Sequence, residues 1–275
     1  SQFESITLPD SIFEIRAGAF ENSRLKNIRI PADTLLMGKN VFLNCSELQA
    51  VDVDKANICY KSIGGVLYDK TGSELICYPA GRKSHRFSVP EGVSRIGQAA
   101  FCRCTELYRV ILPKTLMSIG SEAFASSGLK AVTVPENVEN VEAFAFGGCT
   151  LLDSITFMNS APDYDGYMLC YDETDSYHYN GTVYVPDEAQ IEYTVFTVSF
   201  GYNIRPLSEK PVSGDVAGNG KLTAESLVMI ARYLIGDYVL TEQQKILADT
   251  DLSGDVTVSD LMFLVMVLTG KANGE

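Results

Sequence analysis

The sequence predicts an α+β chain in two parts: a solenoid of short strands and turns, then a small all-α module built from paired loop–helix motifs. Three observations carry this expectation. A short apolar-x-apolar-Pro segment recurs every 22 or 23 residues, apart from a 59-residue interval across an enlarged unit, and a phenylalanine stands eleven residues after each proline. Near the C-terminus, two loops of aspartate, glycine and hydroxyl residues lie 34 residues apart, each running into an apolar helix. With 275 residues, the chain has room for about two domains.

The repeat runs from residue 6 to about 157. Its prolines are Pro9, Pro31, Pro90, Pro113 and Pro135, and its phenylalanines Phe20, Phe42, Phe101, Phe124 and Phe146, each followed five or six residues later by Leu25, Leu48, Leu107, Leu129 or Leu152. A unit this short cannot bury its own apolar face, so the units must stack and share ladders of Phe, Leu and Ile. The residues before each proline alternate as in a strand, and the proline, lacking an N–H, ends it. The pattern resembles the BspA-like leucine-rich repeat, most closely in Ser94-Arg-Ile-Gly97, Ala100-Phe101, Cys104 and Leu107. Gly64-Gly-Val-Leu-Tyr68 and Leu75-Ile-Cys-Tyr-Pro-Ala-Gly81 resemble that family's longer variant unit, so unit three is read as enlarged.

Residues 158–205 break the rhythm and are expected to form an irregular capping region of a first domain spanning 1–205. Within it lies an acidic stretch rich in tyrosine, including Tyr164, Tyr167, Tyr171, Tyr177 and Tyr179. It is either a recognition surface or a solvated loop closing the last coil. Thr182-Val-Tyr-Val-Pro186 resembles a closing unit. Residues 206–212, stiffened by Pro206 and Pro211, read as a linker.

The second domain, 213–275, is organised round Asp249-Thr-Asp-Leu-Ser-Gly-Asp-Val-Thr-Val-Ser-Asp260. Asp249, Asp251, Ser253, the Asp255 carbonyl, Thr257 and Asp260 fall at the ligand positions of a twelve-residue calcium loop, with Gly254 at its sharp turn. Such hard oxygen donors suit Ca²⁺. The upstream copy keeps Asp215, Asn219, the Lys221 carbonyl position and Thr223, but Ala217 offers no ligand and Ser226 replaces the closing carboxylate. One calcium is therefore expected in loop 2, and loop 1 is a weak or empty site. Helices are expected over Leu227 to Ile235 and Leu261 to Leu268, with Thr241-Glu-Gln-Gln244 as a capping box opening a short helix to Ala248.

This duplication resembles a type I dockerin, including the Gly-Asp start of loop 1 and the helix end Arg232-Tyr233-Leu234-Ile235. The resemblance implies a calcium-folded module whose partner is a cohesin of a scaffoldin. Assigning Leu261, Leu264, Val265 and Leu268 to the inner helix face leaves Met262, Phe263, Met266 and Val267 outward. Those residues either pack on the preceding domain or meet a partner. With Val258, Ser259, Ala224, Glu225, Arg232 and Tyr233, they form the expected docking surface. The two copies differ at these places, so one docking orientation is expected.

The net charge of −13 argues against nucleic acid and against an anionic membrane surface. There is no apolar run long enough to span a bilayer and no signal peptide at Ser1, as for a mature terminus or a trimmed chain. Of seven cysteines, Cys45, Cys104 and Cys149 lie three residues after a repeat phenylalanine, and no C-x-x-C pair occurs, so buried free thiols are expected. Unpaired cysteines in a secreted chain point to an anaerobic bacterium. Neither histidine, His85 or His178, has a nucleophile motif nearby. The expected function is that of a non-catalytic, secreted, extracellular cellulosome component, with a repeat domain that recognises a protein or carbohydrate surface. The alternative is a dockerin-borne polysaccharide-degrading enzyme or enzyme inhibitor, which would need a cleft with paired carboxylates.

Overall fold

The computed structural model describes residues 4–159, 163–164 (backbone), 167–169, 181–189, 203–212, 214–218, 221–250 and 253–269. The chain divides into two compact units, 1–207 and 208–275.

The first unit is a β-solenoid of about seven turns. Each regular turn contributes one strand to each of two ladders. The strands before the prolines stack in parallel, as in Arg86–Ser88, Arg109–Ile111, Ala131–Val134 and Ser154–Phe157. Ile/Val-x-Ile/Val alternation buries every second side chain, as at Val132 and Val134 with Thr133 exposed between them. The proline then opens a turn in which its carbonyl accepts the N–H three residues on, as Pro113 does from Leu116 at 3.1 Å. The second ladder joins Arg95–Ile96, Ser118–Ile119, Asn140–Val141 and Asp163–Tyr164.

The phenylalanines fill the middle of each coil. Phe101, Phe124 and Phe146 are buried and stack at 4.9 and 5.2 Å with nearly parallel rings, and Phe20 stacks on Phe42 at 5.8 Å. Residues two before and two after each phenylalanine are left-handed: Gly18 and Asn22, Asn40 and Asn44, Ala99 and Arg103, Glu122 and Ser126, Phe144 and Gly148. This doubled left-handed turn lets alternate N–H groups point along the solenoid axis. Phe101 donates to the Ala123 carbonyl and Phe124 to that of Ala145, at 2.6 and 2.7 Å.

Unit three is enlarged as expected, and its form is an antiparallel hairpin, Tyr60–Ile63 with Val66–Asp69, that pairs onward with Glu74–Cys77. Tyr78 takes the place of the repeat phenylalanine, stacking on Phe101 at 5.2 Å and donating its N–H to the Ala100 carbonyl. The hairpin strand lies where the Leu36–Met37 strand would otherwise pair, so the second ladder restarts and the core falls into two clusters.

Within 158–205, expected to be an irregular cap, the described residues continue both ladders. Asp163–Tyr164 continues the second ladder, the Phe146 N–H donates to the Met168 carbonyl, and Met168 and Leu169 are buried. Thr182–Val185 and Asn203–Pro206 extend the first ladder in parallel. The repeat was hidden because Met168 replaces phenylalanine and no proline directly follows the Ser154–Phe157 strand. Pro206 ends this last strand and Leu207–Glu209 is a 3₁₀ turn, so the expected linker 206–212 is partly structured.

The second unit contains helices α1 (Ala224–Leu234), α2 (Glu242–Ala248) and α3 (Val258–Leu268) around a core of Val216, Ile230, Leu240, Ala248 and Leu264. α1 and α3 begin three residues before the expected starts, because Thr223 and Thr257 serve as N-caps. The Thr241–Gln244 capping box opens α2 as expected.

Candidate functional site

Loop 2 closes upon its two described acidic ends. The Asp249 carboxylate accepts the backbone N–H groups of Ser253 at 3.1 Å and Gly254 at 2.8 Å, which bends the loop round it; Gly254 has φ +102°, where a side chain would be strained. Asp260 is fully buried. One oxygen accepts from the N–H and hydroxyl of Thr250 at 2.7 and 2.9 Å, the other from the N–H and hydroxyl of Thr257 at 2.8 and 2.9 Å. Asp260 therefore caps α3 and ties the loop's two ends together. Ser253 Oγ lies 3.3 Å from the Asp255 carbonyl, so positions 5 and 7 face the same region.

The donors are all oxygens, as a hard cation requires. Asp249, Ser253, Asp255, Thr257 and Asp260 fit Ca²⁺ in type and order. Asp251 lies outside the described residues. Among the described residues no group of three or more His, Cys, Asp or Glu side chains gathers as a metal site.

Loop 1 shows what a serine does in place of the closing carboxylate. Ser226 is buried, its hydroxyl accepts the Ala217 N–H at 3.3 Å, and its N–H donates to Thr223 Oγ1 at 3.4 Å. The closure survives with less charge, leaving Asp215 as the one described carboxylate at its ligand positions; Asn219 and Gly220 lie outside the described residues. Lys221 is exposed. Gln244 Nε2 donates to the Val216 carbonyl at 2.9 Å, and the Gly214 N–H to that of Leu247 at 2.6 Å, so α2 holds loop 1 in place.

The helix faces differ from the expectation. Leu264 is buried and Leu261 half-buried, but Val265 and Leu268, assigned inward, are 40% and 42% exposed. The five-residue core ends at Leu264, which packs on Gly214 and Leu222, and the last turn of α3 runs past it. Phe263, assigned outward, is half-buried, and Tyr233 packs against the core. Val258, Ser259, Met262, Met266 and Val267 are exposed, as are Ala224, Glu225 and Arg232. Arg232 pairs with Asp237 at 2.9 Å and lies over the Tyr238 ring. Sequence reasoning missed Thr250, although a hydroxyl beside Asp249, and the Thr257–Asp260 spacing of a capping box, were visible signals.

In the repeat unit, His85 stacks on Tyr108 at 4.5 Å and Lys130 lies over the other ring, so His85 belongs to a surface column. His178 and the tyrosines Tyr171, Tyr177 and Tyr179 lie outside the described residues, and Tyr167 packs against Phe144. Cys45, Cys104 and Cys149 repeat one internal position. The Cys45 thiol donates to the Phe20 carbonyl and the Cys149 thiol to that of Phe124, both at 3.0 Å, and Cys104 reaches the Tyr78 carbonyl at 3.7 Å. Ser23 and Ser127 occupy the same column, so this place selects a small side chain with a proton to give. Burial raises these thiols above their ordinary titration range. No helix among the described residues is long and apolar enough to cross a membrane.

The model of the BspA type leucine-rich repeat region matches six copies over residues 1–79 and 76–196. No dockerin model matches the C-terminal unit. A leucine-rich repeat protein from Eubacterium ventriosum is similar at 23% identity and a TM-score of 0.61, over 68% of this chain and 50% of its own. The pneumococcal vaccine antigen PcpA gives 21%, 0.51, 70% and 58% in the same order. A leucine-rich cell surface protein from Faecalibacterium prausnitzii gives 27%, 0.50, 74% and 54%. The chain thus spans between half and three fifths of the length of these structures. Among curated proteins, none matches.

Proposed function

The chain belongs to the BspA-type leucine-rich repeat family, and from that premise we propose that it is a non-catalytic, extracellular recognition protein whose C-terminal unit is a calcium-dependent docking module. The repeat unit supplies a rigid ladder surface that takes a protein or carbohydrate target. Similarity to a protein described as a cell surface protein supports the extracellular placement.

The observation that carries the docking reading is the apolar surface of α3. Val258, Met262, Val265, Met266, Val267 and Leu268 are all exposed on one eleven-residue helix. Among the described residues of this unit, five apolar side chains are buried and no further core covers the helix, and such a patch supports a partner. The twice-used loop–helix plan, with Thr223 and Thr257 as N-caps and Ser226 and Asp260 as closing residues, supports a type I dockerin, and hence a scaffoldin cohesin as partner and a place in a cellulosome. Asp249, Ser253, Asp255, Thr257 and Asp260, with Asp251, would hold one Ca²⁺. The ion would supply charge neutralisation to the loop and couple its folding to calcium. Met262 and Met266 have no equivalents in α1, where Val228 and Arg232 stand, so a single docking orientation is proposed.

Replacing Met262 and Met266 together by Ser should abolish cohesin capture while leaving calcium uptake and the helical signal intact. Undiminished capture by that variant would refute the α3 surface.

A further inference from the structure

Among the described residues the regular ladder breaks at the enlarged unit. Gly18, Phe20 and Asn22 donate their backbone N–H groups to the carbonyls of Lys39, Val41 and Leu43, at 3.1, 3.0 and 2.9 Å. Ala99, Phe101 and Arg103 do the same to Ser121, Ala123 and Ala125, and Glu122, Phe124 and Ser126 to Ala143, Ala145 and Gly147. The corresponding groups of Asn40, Phe42 and Asn44 meet no acceptor among the described residues. The hairpin of unit three has moved the next turn away, and a cleft of about 350 Å³ opens there.

The cleft walls carry more unmet capacity. Phe42 stacks on Phe20 but has no ring on its other side, whereas Phe101 and Phe124 each have two ring neighbours in the stack. Tyr78, across the cleft, is 3% exposed, with Phe87 packed against it at 4.8 Å and the Arg82 guanidinium over its ring at 5.4 Å. Asn40 Oδ1 is buried and has no hydrogen-bond partner among the described residues. At the rim, Arg95 is already held between Glu74 at 3.4 Å and Glu142 at 3.0 Å, which leaves hydrogen-bonding and ring stacking as the cleft's main offer.

We propose that this cleft is a peptide-binding site, taking a segment with an aromatic side chain at its centre and alternate carbonyls directed at the N–H groups of Asn40, Phe42 and Asn44. The aromatic ring stacks on Phe42 opposite Phe20, and the flanking carbonyls replace those of the missing turn. The occupant's chemistry is read from the solenoid itself, since a regular turn presents this same combination to the turn before it. The inference deepens the reading of the repeat unit as a recognition module and names one site on it.

The probe is a peptide copying residues 119–127, whose Phe124 and carbonyls of Ser121, Ala123 and Ala125 play this part within the chain. Added to the whole chain at about 1 mM, a concentration suited to a short flexible ligand, it should slow amide exchange at Asn40, Phe42 and Asn44 by about tenfold or more. A copy with serine in place of its phenylalanine should give no protection. Gln98→Trp, a half-buried cleft residue, should abolish protection with the melting temperature unchanged. Unaltered exchange with the peptide, equal protection by the serine copy, or protection by cellopentaose instead would each overturn the peptide assignment. Binding of the Gln98→Trp chain to intact target surfaces, measured in parallel, separates failure of this cleft from failure of the recognition reading.

Discussion

Ala99 and Ser126 have backbone φ of +54°, a conformation that costs a non-glycine residue roughly 1–2 kcal/mol. Asn22, Asn40, Asn44, Gly18 and Gly148 meet the same demand with residues suited to it. Because glycine loses more chain entropy on folding, Ala99→Gly or Ser126→Gly should raise stability by a net of only about 0.5–1 kcal/mol, read as a higher urea midpoint. A lower midpoint would show that the left-handed turn is not strained there. The thiols make a second prediction. Burial pushes Cys77 up to about 12 and Cys102 to about 11, and raises Cys104 well above the ordinary value of 9. Below pH 9 both folded and unfolded chains keep these protons. As pH rises from 9 towards 11 or 12, only the unfolded chain releases them, so stability falls across that window. Denaturation curves at pH 8 and pH 10.5 should show the loss, and Cys104→Ala should lessen it. The proton-giving role of Cys45, Cys104 and Cys149 was not legible in their spacing, which says only that the position is small and internal.

Among the elements, the phenylalanine stack and the loop closures bear most of the argument. Phe124 is fully buried between Phe101 and Phe146, so Phe124→Ala should cost about 3–5 kcal/mol and Phe124→Leu markedly less, by equilibrium unfolding. In the second unit, Asp260→Asn keeps the shape of the buried side chain but removes one acceptor oxygen from a group that accepts four hydrogen bonds. The loss should be about 1.5–3 kcal/mol even without calcium, seen as reduced helical signal from 208–275. The strands and coil-filling phenylalanines of the regular turns were readable from proline spacing and alternation alone. The ladder through Asp163–Tyr164 and Met168 was not, because methionine stands at the phenylalanine position and no proline directly follows Phe157. Val265 and Leu268 misled for another reason: helical periodicity assigns a face, but how far that face is covered depends on the extent of the core, which stops at Leu264.

At the scale of the whole molecule, two units with different stabilising logic share one chain. The repeat unit is held by stacking between neighbours, so an inserted hairpin can open a cleft between turns while the ladders continue on its far side. The hairpin itself was legible as an enlarged unit, but the opening was not, because it depends on which strand edges the insertion occupies. Among its described residues the C-terminal unit has a small core and a broad exposed apolar helix, which the proposed docking role would cover with a partner. The most direct measurement is titration calorimetry of the whole chain against a panel of scaffoldin cohesins, first with calcium and then with excess chelator. Tight binding to one or more cohesins at a stoichiometry of one, abolished by chelation, is the expected result. Calcium uptake without binding to any cohesin, or binding indifferent to chelation, would contradict the docking account.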